Sequence, residues 1–469
     1  MENIKKSSNL RVPAKASIWY IASTAAARGI SVLTTPIFTR LLTPEEYGVY
    51  PLYNTWLGVI SVIITLELSG GVVYRVLQKN PGNEDEAISS AFGLFTTVFT
   101  SFCALYFTFS RYINNLTGLN TYISVLMLAQ IFAGTTIGFY TARARYEYRY
   151  KSASFINIMS ALLPPIVSLL IISFTNISSE ARILGSSLSL VIIALPIAYL
   201  LLHESQKLYN KEIWRFLLKF SIPLLPHYLS MTLILRIGEI TIGRTQGTDA
   251  LGKYSVALSV GMALTMVTNG LLSALSPWIL RKLREGNVDE IKAFLLIATK
   301  GLCTACLVIL TVSPEIIRLL TPEAFHSSLP AIYPLELAVI PIFLSNAVMS
   351  AQMFYEKSGR SALPSVITAI VSSALSIILL PLVDYRFTSV FVLLSYILLA
   401  ILNVLTFKKL SGSNLINTKG TVLTFVSTTL YAALLFLFRD VLISRVLLAI
   451  PIIPTAIVIA KQVLKKIRE

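Results

Sequence analysis

Apolar segments of about 20 residues recur from one end of this chain to the other, each long enough to cross a bilayer as a helix. They fall near 14–39, 47–74, 87–110, 120–142, 153–174, 181–202, 218–243, 250–278, 291–313, 330–355, 362–382, 387–407, 420–438 and 441–460. Lipid offers no hydrogen-bond partner to the backbone, so such a chain can only fold as a bundle of membrane helices or a closed barrel, and segments of this length select the helices. The expectation is an all-α polytopic membrane protein of about fourteen transmembrane helices. Composition discriminates in the same direction: 13% of the 469 residues are charged, against about a quarter in soluble chains, and mean hydropathy is +0.73.

The net charge of +16 raises nucleic acid as a partner. The cations are dispersed through short inter-span loops, however, which excludes that reading and fits membrane lipid headgroups and positive-inside topology. With both termini cytoplasmic, cytoplasmic segments hold twenty-seven Lys and Arg, outer segments nine (Arg182 and Arg445 among them), and spans three. No cleavable signal peptide is expected, because the first apolar stretch leads straight into further spans.

The first span carries Arg28 near its middle, with Thr24, Ser31 and Thr35 on the same helical face. A cation at mid-bilayer costs at least about 2.5 kcal/mol, so it faces a cavity or a partner rather than lipid. The span ends in Arg40-Leu-Leu-Thr-Pro-Glu-Glu-Tyr-Gly-Val-Tyr50, where Thr43-Pro44 is expected to break the helix and Gly48 to let the chain turn back. An arginine-bearing first helix followed by this motif resembles the polysaccharide transporter branch of the multidrug/oligosaccharidyl-lipid/polysaccharide exporter superfamily, which includes the O-antigen flippases. The resemblance runs from about Ala14 to Lys408.

A shift of 204 residues superposes Arg40 on Arg244, Glu45 on Asp249, Gly48 on Gly252 and Tyr50 on Tyr254. An even number of spans between copies gives parallel repeats. The predicted organisation is two pseudo-symmetric six-helix lobes plus two C-terminal helices. The N-terminal lobe covers 1–202, a cytoplasmic linker 203–219, the C-terminal lobe 220–408, and the two extra spans with a basic tail 409–469. Trp214, Phe216 and Leu217 among the linker's charges predict a short interfacial helix.

The candidate site gathers the charges at membrane depth. Arg236 and Glu239 are three residues apart on span seven, Lys300 lies in span nine with Thr304 one turn on, and Glu67 lies in the inner half of span two. Under the repeat, the polar stripes of spans one and seven coincide and would face each other across a lobe interface. The bland alternative pairs Arg236 with Glu239 and Arg28 with Glu67 as scaffolding. Glu336, Asp384 and Glu356 lie near span ends, within expected reach of water.

Loop 141–151 interleaves four cations with tyrosines, a pattern for interfacial anchoring or for receiving an anionic headgroup. Cys103, Cys303 and Cys306 fall in apolar runs and read as buried thiols; the three histidines are scattered, and no nucleotide-binding or hydrolase motif occurs. No catalytic residue, metal or cofactor is expected. Energy would come from an ion or voltage gradient or from the substrate gradient.

The resemblance implies a flippase that moves a polyprenyl-diphosphate-linked oligosaccharide to the outer leaflet of a prokaryotic inner membrane, with a glycan polymerase and glycosyltransferases of the pathway as partners. Arg28, Arg236 and Lys300, with Arg40 and Arg244, would attract the diphosphate; Glu67 and Glu239 would balance charge or couple an ion. A cation-coupled multidrug exporter of the same superfamily is the first alternative, disfavoured by the positive surplus. A polytopic glycan polymerase or ligase is the second, disfavoured by short outer loops.

Overall fold

A computed structural model describes residues 11–175, 177–203, 207–355, 358–458 and 461. Seventeen α-helices follow one another among the described residues. They are α1 (Arg11–Leu41), α2 (Pro44–Thr65), α3 (Val73–Lys79), α4 (Glu84–Thr108), α5 (Ser110–Thr117), α6 (Thr121–Tyr146), α7 (Tyr150–Phe174), α8 (Ser179–His203) and α9 (Lys211–Thr245). Then come α10 (Gly247–Gly261), α11 (Thr265–Arg284), α12 (Val288–Leu320), α13 (Leu329–Gln352), α14 (Ser358–Leu379), α15 (Thr388–Ser411), α16 (Thr418–Leu437) and α17 (Leu442–Ala449).

The protein is an all-α, multi-pass membrane protein. Among the described residues eleven helices are long and apolar enough to span a bilayer, and α10 with the first part of α11 forms a twelfth, bent by 44°. The expected fourteen is therefore approximate: its first position is α1, which carries Arg28 and Arg40, and its last is the shorter apolar helix 442–458. The chain divides into two compact units, Met1–Leu229 and Ser230–Glu469.

In the first unit, helix ends are set locally. Thr43 caps α2 in a reciprocal capping box with Glu46, with Pro44 at the first helical position. The turn lies here and not at Gly48, which is buried within α2; a capping box already directs the chain, so glycine's freedom is not needed for it. Asn120 caps α6 through the Ile123 amide at 2.8 Å. Between α4 and α6, Phe92, Phe95, Phe132 and Phe139 pack ring against ring, from stacked to edge-to-face, at centroid distances of 5.8 to 6.2 Å.

The linker is docked along α4. A Cβ on Gly93 would stand 2.0 Å from the Leu208 carbonyl oxygen, so only glycine lets this backbone pass. The Trp214 indole donates to the Ser90 carbonyl at 2.9 Å, and Asn210 donates to Glu86 at 2.9 Å. Trp214, Phe216 and Leu217 do not form a separate interfacial helix: they are the opening turns of the 35-residue α9, which continues through Pro223 and Pro226.

The second unit is organised around α13, whose residues are largely buried. It meets α15 through a polar clasp, in which Gln352 donates to the Asn403 carbonyl at 2.8 Å and Asn403 to Ser345 Oγ at 2.7 Å. Glycine is again used for close approach: Gly261 of α10 lies against the Leu335 side chain. The C-terminal helices are tied in by Arg445 of α17, fully buried, whose guanidinium binds Glu315 bidentately and donates to the Thr311 carbonyl of α12 at 2.6 Å.

Candidate functional site: charges at membrane depth

In the first unit the candidate acid Glu67 sits at a broken helix. Span two is α2 and α3 joined through a π-helical turn, Leu68–Val72, and the break falls on Leu66 and Glu67, both left-handed at φ 49° and 52°. Two successive non-glycine residues in that region store backbone strain. The Glu67 amide bonds to Thr65 Oγ1 at 3.2 Å rather than continuing the helical ladder. Its half-buried carboxylate folds toward Gly70 and has no hydrogen-bond or ion-pair partner among the described residues. A broken membrane helix with an acid at the break offers carbonyl and carboxylate oxygens, a chemistry that attracts cations. Tyr228 of α9 lies within electrostatic reach of both Glu67 and Arg75, and the Arg75 guanidinium stacks on Phe220 at 4.3 Å.

Arg28 lies on α1, but its side chain falls outside the described residues, as does the expected pairing with Glu67. Arg40 is exposed in the last turn of α1. Arg182, counted from the sequence as an outer-loop cation, is buried on α8 inside an aromatic cage: Phe38 of α1 and Tyr47 and Tyr50 of α2 lie 4.0, 5.0 and 3.8 Å from its guanidinium carbon. The tyrosines of the diagnostic motif therefore serve the fold.

In the second unit Arg236 and Glu239 are paired, Nη1 to Oε2 at 2.7 Å; Glu239 is buried, whereas the Arg236 side chain is 32% exposed. Tyr254 of α10 and Tyr396 of α15, both buried, lie within electrostatic reach of Arg236. The Tyr254 hydroxyl has no hydrogen-bond partner among the described residues. Lys300 is half-buried on α12 and makes no ion pair among the described residues, while Thr304 Oγ1 donates to its carbonyl at 3.0 Å. Arg244 is exposed in the last turn of α9, the place Arg40 takes in α1.

Glu336 corrects the sequence expectation. Although near a span end, it is fully buried on α13, and neither carboxyl oxygen has a hydrogen-bond partner among the described residues. α13 is buried along most of its length, and the buried Cys306 of α12 lies within electrostatic reach of Glu336, so helix packing takes away the water that hydropathy alone would assign to it. Asp384, by contrast, is partly exposed and accepts from Arg386, and Glu356 lies outside the described residues.

Loop 141–151 is less basic than it reads, because Arg143 is buried in ion pairs with Asp85 and Glu147, and Arg149 pairs with Glu147. Cys303 and Cys306 are both buried in α12. Among the described residues no group of three or more His, Cys, Asp or Glu could hold a metal.

Residues 14–282 match the family described as polysaccharide biosynthesis protein. No curated protein matches the chain. Among solved structures, the inward-facing conformation of a multidrug resistance MATE family transporter of the MOP superfamily is similar, with TM-score 0.62, 13% identity, and 87% of this chain and 95% of that one covered. A MATE protein in the straight conformation gives 0.58 at 14% identity, covering 90% and 96%. A MOP superfamily transporter from Pyrococcus furiosus, described as having a binding pocket of reverse polarity that suggests a different function, gives 0.56 at 15%, covering 90% and 96%. These likenesses establish a MATE-like fold.

Proposed function

The chain belongs to the polysaccharide biosynthesis protein family, and from that premise we propose that it carries a polyprenyl-diphosphate-linked oligosaccharide, an O-antigen, capsule or related glycan unit, from the cytoplasmic to the outer leaflet of a prokaryotic inner membrane by alternating access. Lys300 carries the reading: a cation at membrane depth, partly accessible, that no acid among the described residues neutralises. Such a charge is costly in a membrane and is retained where an anion visits it. Arg236 keeps part of its guanidinium exposed although one face is committed to Glu239, which leaves donors for a phosphate. Arg28, Arg40 and Arg244 are assigned to the same task, and Glu67 and Glu239 to balancing charge.

On this reading the lobes are 1–202 and 220–408, joined by 203–219 and followed by 409–469. Both termini and the linker are cytoplasmic. The positive-inside count supports that orientation, and the burial of Arg182 and Arg445 removes two of the nine cations counted outside. Glycosyltransferases and a polymerase of the same pathway are the partners that supply and consume the glycan unit.

The test uses proteoliposomes loaded with a labelled polyprenyl-diphosphate oligosaccharide. The wild-type chain should expose label to an outside reagent faster than empty vesicles, and Lys300→Met should slow this about tenfold or more, the worth of a lost charge-assisted contact. Wild-type vesicles indistinguishable from empty ones would sink the proposal. Glu336 favours a second reading, a cation-coupled multidrug exporter, because a buried acid without a partner among the described residues suits cation uptake. That reading requires the same vesicles to move a cationic drug down an imposed ion gradient, and Glu336→Gln to stop it.

A further inference from the structure

The opening turns of α9 bear a groove of about 670 Å³ that the translocation reading does not use. Lys211, Arg215 and Lys219 line it at steps of four residues, which places them in a row on one helical face. Leu218, Ile222 and Pro223 form its apolar floor, and Tyr209 and Trp214 close one end with their rings edge to face at 4.9 Å. All three cations are exposed, and none makes an ion pair among the described residues. This separates the groove from loop 141–151, whose Arg143 and Arg149 are already neutralised.

Its depth follows from helix length. At 1.5 Å per residue the 35 residues of α9 run about 52 Å, well beyond the ~30 Å of hydrocarbon in a bilayer. Counting back about 20 residues from Arg244 brings the hydrocarbon edge close to Pro223. The cations then stand in the headgroup layer, while Ile222, 54% exposed, faces the start of the acyl chains. The groove is also preformed: the Trp214 indole is fixed on the Ser90 carbonyl, Asn210 caps the helix start, and Leu208 is seated on Gly93.

We propose that this groove seats the phosphate headgroup of an anionic membrane phospholipid, with Arg215 and Lys219 on the phosphate, Lys211 on the outer part of the headgroup and the acyl chain over Ile222 and Pro223. Charge complementarity selects the occupant, because at this level of the bilayer phospholipid phosphates are the abundant anions, and an aromatic and apolar floor beneath cations matches a lipid rather than a free ion. The site is independent of which substrate the protein carries.

The test is native mass spectrometry of the full chain in detergent with phosphatidylglycerol or phosphatidylcholine added. The wild-type chain should retain phosphatidylglycerol in preference, and retention should fall with rising salt. The triple variant Lys211→Gln, Arg215→Gln, Lys219→Gln should bind phosphatidylglycerol on the order of a hundredfold more weakly, from about 1 kcal/mol per cation. Lys408→Gln with Lys409→Gln, at the end of α15, should leave retention unchanged. If the triple variant retains phosphatidylglycerol as the wild type does, the proposal fails. It fails equally if millimolar inorganic phosphate displaces the lipid, which would make this an ion site, or if an isoprenoid diphosphate outcompetes phosphatidylglycerol at equal concentration. Should the triple variant not fold, preference and salt dependence in the wild type decide, and equal retention of the two lipids overturns the assignment.

Discussion

The Arg182 guanidinium carbon sits 3.8 Å from the centroid of the Tyr50 ring, joining α8 to the motif that opens α2. Phe38 and Tyr47 complete the cage, so a buried cation is stabilised by aromatic faces in place of a carboxylate. Cation–π contacts of this desolvated kind are worth about 2 kcal/mol. Arg182→Met should therefore lower the melting temperature by roughly 5 °C, read by fluorescence-detected size exclusion after heating. Tyr50→Phe should cost much less, since it keeps the ring. An unchanged Arg182→Met melting point would mean that the cage is incidental.

Gly93→Ala is expected to displace the linker. Its Cβ would meet the Leu208 carbonyl oxygen, a backbone atom that no rotamer change can move aside. Overpacking of this kind costs about 1 to 3 kcal/mol. Limited trypsin treatment should cut the variant at Lys207 or Lys211 several-fold faster, and equal rates would argue against a docked linker.

Arg236→Ala should lower the amount of folded protein, because it removes the guanidinium that the buried Glu239 carboxylate binds at 2.7 Å, at a cost of about 3 kcal/mol or more. Arg236→Met combined with Glu239→Gln should restore folded protein without restoring translocation. If the single variant folds normally and transports, neither a structural nor a binding role for the pair survives.

The topology is open to direct labelling. In a chain whose Cys103, Cys303 and Cys306 have been replaced, Glu212→Cys and Ala324→Cys lie at exposed positions and should react with a membrane-impermeant maleimide from opposite sides. Reaction of both from outside intact cells would overturn the proposed orientation.

Helices were legible in the sequence wherever length and local chemistry decide, as in the Thr43-Pro44-Glu45-Glu46 start of α2 and the arginines ending α1 and α9. The Arg236 and Glu239 pair was legible for the same reason, since three residues on one helix leave little to tertiary structure. Arg182 was not, because its partners lie more than a hundred residues away and its place near a span end looks like a loop cation. The break at Glu67 had only Gly70-Gly71 nearby as a signal, and nothing local requires Leu66 to turn left-handed. Glu336 was misplaced because hydropathy measures distance to a span end, whereas burial depends on which neighbours cover that end.

The Arg182 cage also implies an order in time. The capping box starts α2 from residues within one turn, so Tyr47 and Tyr50 can be in place as soon as that stretch has been made. Arg182 leaves the ribosome more than a hundred residues later, about 10 s at ordinary rates of synthesis. Through that interval the aromatic face waits without its cation. Insertion of α8 is then the event that closes the cage, and a pause or misinsertion between α2 and α8 would leave the motif in place with its aromatic face unfilled.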